Sequence, residues 1–277
     1  MVSETAKINS TLGEKKMKKE HLVLKEAILP EGYENYVFDL YGTLVDIHTD
    51  EHTNELWEKL SLFYGYYDAH YKPEELKETY EELVHGKEAV LKKTLEDNPR
   101  YAHEASPEIE ITEVFKELFT RKGVTAEESL CIHAGQFFRV LATDYVRTYP
   151  GTQEMLADLK EKGKKIYLLS NAQRIFTAYE MHVLKIADYF DGILISSDYQ
   201  TKKPDIRFFD ILKEKYSLVE EKTLFIGNDS RTDIGGAIGA GFDTYYVNSN
   251  ISPANDRAEH ANYVVMDFDQ WKVGQNL

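Results

Sequence analysis

From Pro150 onward the chain alternates short apolar runs with segments of helix length, and no other feature restricts its fold as strongly. Lys165-Ile166-Tyr167-Leu168-Leu169, Gly192-Ile193-Leu194-Ile195-Ser196, Thr223-Leu224-Phe225-Ile226, Tyr245-Tyr246-Val247 and Tyr263-Val264-Val265 read as strands rich in β-branched and aromatic residues. The intervening spacing predicts helices over 152–162, 174–184 and 206–216, the first capped by Thr152 and ended by Gly163. Strands joined through helices cross over right-handedly, so the pattern demands a mainly parallel sheet covered on both faces. An earlier run, Tyr36-Val37-Phe38, adds a buried strand that leads straight into Asp39-Leu40-Tyr41-Gly42-Thr43.

Between these two parts, 49–146 is expected to be a helical insertion. Leu56, Leu60 and Phe63, then Leu76, Tyr80, Leu83 and Val84, then Val114, Leu118 and Phe119 recur at helical spacing. Pro73 and Pro107 stand where helices would begin. Residues 1–32 are charged and weakly periodic and read as an N-terminal extension. The expected organisation is therefore 1–32, a sheet domain of 33–48 and 147–277, and the insertion 49–146.

Charge limits the partners. With 33 basic and 48 acidic residues the net charge is −15, which opposes nucleic-acid phosphates and anionic membranes. An anionic substrate then needs a locally positive pocket or a metal. The single cysteine, Cys131, excludes an intrachain disulfide and fits a reducing compartment. No apolar run approaches the roughly 20 residues of a membrane span, and the polar start has no secretory h-region. A cytoplasmic location is expected.

In a parallel sheet the strand tips open on one edge, so polar groups distant in sequence meet there. Asp39 and Thr43 follow the first strand, Ser170 and Asn171 the second, Lys203 the third, and Asp229 and Asp233 the fourth. In that order, Asp-x-x-Gly-Thr, hydrophobic-Ser-Asn, Lys-Pro and Gly-x-Asp-x-x-x-Asp, the set resembles the haloacid dehalogenase superfamily of hydrolases over about residues 35–270. The resemblance implies an α/β fold, a Rossmann-like parallel sheet core with an inserted α-helical cap domain. It implies Asp39 as nucleophile and Thr43, Ser170, Asn171 and Lys203 as the groups that hold the transferring phosphoryl. It further implies Mg²⁺, a hard oxygen-seeking cation, on Asp39, the carbonyl of Tyr41 and Asp229, with Asp233 either a ligand through water or an orienter of Lys203.

One position departs from that pattern. Phosphatases of the superfamily carry a second aspartate two residues after the nucleophile, where this chain has Tyr41. A phenol of ordinary pKa near 10 (~10 in model compounds) is a poor base at neutral pH. The superfamily's dehalogenases share this tyrosine, since a departing halide needs no proton. They also place an arginine from the early cap over the carboxylate, whereas none occurs here between Thr43 and Pro99. They lack the paired fourth-motif carboxylates as well. The expected activity is Mg²⁺-dependent phosphatase chemistry on a small phosphorylated molecule, fastest on good leaving groups such as acyl or aryl phosphates. The alternatives are a 2-haloacid dehalogenase-like hydrolase, and a catalytically weak binding or regulatory protein of the same fold. Neither nucleic acid nor membrane is an expected partner.

The aromatic run from Phe63 to Tyr71 divides between helix packing and a substrate roof. Tyr64, Tyr67, His70 and Arg100 are the expected cap contacts to substrate. His48-Thr49-Asp50-Glu51-His52 matches a zinc-peptidase spacing by chance and reads as a polar hinge.

Overall fold

The computed structural model describes residues 21–104 and 107–274, so most of the expected N-terminal extension lies outside the described residues. Seven parallel strands form the main sheet. In chain order they are β1 (Leu22–Leu24), β2 (Asn35–Phe38), β5 (Lys165–Ser170), β6 (Gly192–Ile195), β7 (Thr223–Gly227), β8 (Asp243–Val247) and β9 (Tyr263–Val265). Across the sheet they run β1-β9-β8-β7-β2-β5-β6. β2, the strand leading to Asp39, is paired on both edges, with Phe38 opposite Leu168 of β5 and Ile226 of β7.

Alternate residues of each strand feed different cores. Tyr36, Phe38, Ile166, Leu168, Leu224 and Ile226 pack on one face under α5 (Thr152–Glu161), α6 (Arg174–Val183) and Trp271. Val37, Tyr167, Leu169, Leu194 and Phe225 pack on the other under α7 (Ile206–Tyr216). Both faces are dry, as the continuous apolar strands require.

The insertion leaves and re-enters the sheet domain through an antiparallel ribbon, β3 (Val45–Thr49) with β4 (Thr143–Thr148). Beyond the ribbon lie α1 (Asn54–Gly65), α2 (Pro73–Glu96), α3 (Thr112–Thr120) and α4 (Glu128–Ala142), gathered around Leu60, Tyr64, Phe115, Phe119 and Phe138 in a core of their own. Helix therefore stops at Ala142, short of the expected Val146, because Thr143-Asp144-Tyr145-Val146 pairs with β3 instead.

Three further local expectations change. Pro107 precedes the helix it was expected to start, which begins at Thr112. Gly151, at φ +79, holds the N-cap of α5, and Thr152 donates its hydroxyl to the Leu44 carbonyl at 3.2 Å. A side chain on Gly151 would meet the Trp271 carbonyl at 2.0 Å. Finally, Leu22–Leu24 belongs to the sheet, pairing with β9, so part of the segment expected as an extension is structural.

Candidate active site

Asp39 stands one residue beyond β2, its amide donating to the Ile226 carbonyl at 2.9 Å. The turn after it closes on itself: Gly42 donates to Val45 O at 2.8 Å, and Leu44 and Val45 both donate to Leu40 O. Gly42 has φ +87, and any β-carbon there would lie 2.1 Å from Asn228 Nδ2, so the position requires glycine. Trp271 supports the turn from below, donating Nε1–H to the Thr43 carbonyl at 2.9 Å.

Lys203 reaches this turn from the loop after β6 and is almost wholly buried. Its Nζ lies 2.6 Å from Asp39 Oδ1 and 2.7 Å from Asp233 Oδ1. Asp233 is fixed in turn by the amides of Asn228 and Asp229, at 3.0 and 3.1 Å on Oδ2. Asn171 clamps the Lys203 backbone from both sides, accepting its N–H at 2.8 Å and donating to its carbonyl at 2.9 Å. Asp229 accepts the amides of Arg231 and Thr232 on Oδ1, as the N-cap of the following turn. Thr43 makes one long contact, 3.5 Å to Asn228 Oδ1. Ser170 is buried, and its hydroxyl has no hydrogen-bond partner among the described residues.

The cluster is short of positive charge. Burial alone would lower the Lys203 ammonium, but Asp233 and Asp39 more than offset it and hold its pKa above the ordinary lysine value. Burial pushes the Asp233 carboxyl up to about 7 against the pull of Lys203, and the neighbouring charge of Asp39 acts in the same direction. Two carboxylates share one ammonium, with Asp229 close by in sequence. An added cation is thus electrostatically welcome. Among the described residues no three His, Cys, Asp or Glu side chains converge as a ready-made metal cage. The carboxylates here are hard oxygen donors, and an ion held by so few of them must keep several waters, as Mg²⁺ does.

Tyr41 points elsewhere. Its hydroxyl donates to Glu180 Oε2 at 2.5 Å and lies 3.1 Å from Thr177 Oγ1, both on α6. Arg139, from α4 of the insertion, donates Nε–H to Glu180 Oε1 at 2.7 Å and lies 5.7 Å over the Tyr41 ring. Burial, reinforced by the Glu180 charge, keeps the phenol pKa well above its ordinary value. Glu180 and Arg139 are not apparent from the sequence. Each is a single charge on an amphipathic helix, a pattern that usually marks a solvated face.

The expected cap contacts divide. Tyr64 is fully buried, packs on Phe119 at 4.3 Å between ring centroids and donates to the Phe115 carbonyl. It is corrected to a member of the insertion's own core, because its hydroxyl is already committed and no face of it is open. Tyr67 rests on Phe63 and Phe119 on the same helical layer, partly exposed. His70 is exposed, and Arg100, also exposed, stacks over Tyr101 at 5.5 Å. Lys202, which precedes Lys203, faces Glu108 of the insertion at 3.8 Å. His48 pairs with Asp144 in the ribbon at 2.7 Å, consistent with a polar hinge.

A parallel α/β core with a helical insertion after β2, and charged strand tips gathered at one edge, defines a capped α/β enzyme. The chain belongs to the haloacid dehalogenase-like hydrolase family, whose model matches residues 33–241. It is 32% identical over 109 residues to a glyceraldehyde 3-phosphate phosphatase of Methanothermobacter thermautotrophicus, covering 39% of this chain and 48% of that protein. It is 30% identical over 154 residues to a phosphoglycolate phosphatase of Escherichia coli O157:H7, covering 55% and 54% respectively. The matches thus span about half the length of these curated relatives. Among solved structures, a dehalogenase captured with an intermediate shares the fold with a TM-score of 0.50 at 19% identity, over 86% of this chain and 95% of that one. Among the described residues no helix is long and apolar enough to cross a membrane.

Proposed function

We propose that the chain is a Mg²⁺-dependent phosphate-ester hydrolase that works through an aspartyl-phosphate at Asp39. The observation that carries this reading is Lys203 Nζ held between Asp39 and Asp233 at 2.6 and 2.7 Å, with the buried hydroxyl of Ser170, at the end of the neighbouring strand β5, without a partner among the described residues. Departure of a halide needs no metal, so a dehalogenase has no use for the cation deficit that the paired fourth-motif carboxylates create. No arginine pairs with Asp39 among the described residues either, since Arg139 is bound to Glu180.

The residues divide the work. Lys203 fixes one oxygen of Asp39, leaving the other to attack phosphorus in line with the departing oxygen. Ser170 and Thr43 would donate to the phosphoryl oxygens, while Asn171 and Asp233 act on Lys203 by holding its backbone and its ammonium. Asp39, the Tyr41 carbonyl and Asp229 would hold Mg²⁺, which neutralises phosphoryl charge when bound. Water then cleaves the acyl phosphate and returns Asp39 with inorganic phosphate.

Tyr41 sets the substrate class. Its proton is committed to Glu180 and its pKa is raised, so it neither protonates the leaving oxygen nor accepts a proton from water. The leaving group must depart as a stable anion, which favours acyl and aryl phosphates over alkyl ones. The similarity to phosphatases that act on small phosphorylated compounds supports a small substrate.

The test is phosphate release from aryl phosphates of graded leaving-group pKa, with and without Mg²⁺. The rate should fall steeply as that pKa rises and should drop about a thousandfold in Asp39→Asn. Tyr41→Phe should leave aryl phosphate turnover within about twofold, because the lost hydroxyl takes no part in proton transfer. Activity that survives Asp39→Asn removes the nucleophile assignment. Halide release from 2-haloacids without Mg²⁺ would establish the dehalogenase-like alternative. Release of neither would leave a binding protein.

A further inference from the structure

Lys203 is held from one side by Asn171, and its loop is held from the other by the insertion. The connection between α2 and α3 lies against the sheet domain at this loop, and again farther along, where Gln173 and Ser196 bond Glu108 and the backbone of Ile109 and Ile111. His103 Nε2 lies 3.1 Å from Asp205 Oδ1, the same oxygen that accepts the Arg207 amide at the start of α7. Glu104 Oε2 accepts Arg207 Nε–H at 2.7 Å. Arg207 uses its remaining donors on the carbonyls of Tyr199 at 3.2 Å and Gln200 at 2.7 Å. Lys203 therefore sits between two carbonyls tied to Arg207 and a helix start tied to the same residue.

The Glu104 side chain is fully buried, and only one of its oxygens is engaged. The other has no hydrogen-bond partner among the described residues, so Arg207 is what keeps this charge inside. A buried carboxylate is costly unless paired, which makes the contact all-or-none. Through this pair the connector and the loop are coupled, in addition to the bonds that Gln173 and Ser196 make farther along the connector.

We propose that Glu104 is a positioning residue for Lys203: through Arg207 it braces the 199–205 loop, so the ammonium reaches Asp39 only while the insertion is docked. The proposal rests on the reading of Lys203 as the lysine that orients the nucleophile. It makes docking of the insertion a condition for assembling the site.

The test uses the full chain and a readout that does not depend on turnover. Pulse acetylation with acetic anhydride and mass spectrometry gives the reactivity of Lys203 relative to exposed Lys165. In Glu104→Gln, measured well below the unfolding temperature, relative labelling of Lys203 should rise about fivefold or more as the loop opens locally. kcat on an aryl phosphate should fall about tenfold with KM within about twofold, and Glu104→Asp should recover part of both. Should Glu104→Gln fail to fold, Arg207→Lys carries the same expectation, since it keeps the charge and loses the fork to the Tyr199 and Gln200 carbonyls. Unchanged Lys203 labelling, or a rise shared equally by every lysine, overturns the proposal and leaves Glu104 a purely structural contact. A wild-type chain that releases no phosphate removes the phosphatase reading instead, and the labelling alone then decides the role of Glu104.

Discussion

Two buried charge clusters begin in the same turn, two residues apart, and they are built on opposite principles. Around Asp39, one ammonium serves two carboxylates and a buried serine hydroxyl has no hydrogen-bond partner among the described residues. Around Tyr41, one carboxylate is matched by one guanidinium and one phenol, and its oxygens are bonded. The first cluster has unspent capacity for an anion and a cation. The second is closed, and it ties α4 of the insertion to α6 of the sheet domain. Burial of charge is common to both; what distinguishes a candidate site from a strut is whether the hydrogen-bonding and charge balance is complete.

That comparison can be broken first at Lys203. Lys203→Met should lower aryl phosphate turnover about a hundredfold or more, since it removes the one cation fixed on Asp39. Its effect on stability should be smaller, because Asp233, whose carboxyl burial already pushes up to about 7, can take up a proton in place of the lost ammonium. Steady-state kinetics with thermal unfolding on the same preparation checks both halves. A large fall in melting temperature with modest loss of rate would make the Asp39 cluster the strut.

Arg139→Ala should show the reverse. It leaves the buried Glu180 carboxylate without its charge partner, with only the Tyr41 hydroxyl still donating to it among the described residues, at a cost of about 3–5 kcal/mol in unfolding free energy. Catalysis per folded molecule should change less than in Lys203→Met. Denaturant unfolding measures the first and active-site-normalised rates the second. If Arg139→Ala is nearly neutral to stability, the closed-cluster interpretation fails.

The smallest effect is expected at Asp46, a third cluster of the closed kind in the ribbon. Burial would raise its carboxyl, but hydrogen bonds from Asn250, Arg147 and Tyr145 outweigh it and hold the pKa below the ordinary 3.8. A depressed carboxylate pKa stabilises the fold above the unfolded-state value, and the gain disappears as pH falls through the folded-state value. The stability gap between wild type and Asp46→Asn should therefore be full at neutral pH and close below about pH 4. A gap that stays constant down to pH 3 (about a unit below the unfolded-state value) would mean the hydrogen bonds contribute without the charge.

Much of this was legible locally. The parallel core follows from apolar runs bounded by turn residues, and the polar strand tips follow from where those runs stop. Asp39, Ser170, Asn171, Lys203 and Asp233 all lie at or near such tips, which is why a linear reading gathers them. The ribbon was less visible, because Thr143-Asp144-Tyr145-Val146 continues an acceptable helical pattern until pairing with β3 decides otherwise. Tyr64 was misplaced for a related reason: aromatic residues at helical spacing look alike whether they face a cleft or a neighbouring helix.

The sequence by itself determined the sheet, the order of its chemical groups and the absence of an acid two residues after Asp39. Tertiary structure decided what Tyr41 does instead. Its partners are Glu180 and Arg139, well over a hundred and nearly a hundred residues away, each an ordinary helix charge until packing draws all three largely out of water. It also decided that Glu104, on a connector with no motif, meets Arg207 beside Lys203. Short-range pattern fixes which backbone forms, whereas charge pairing across the chain depends on burial, and burial exists only once the elements have packed.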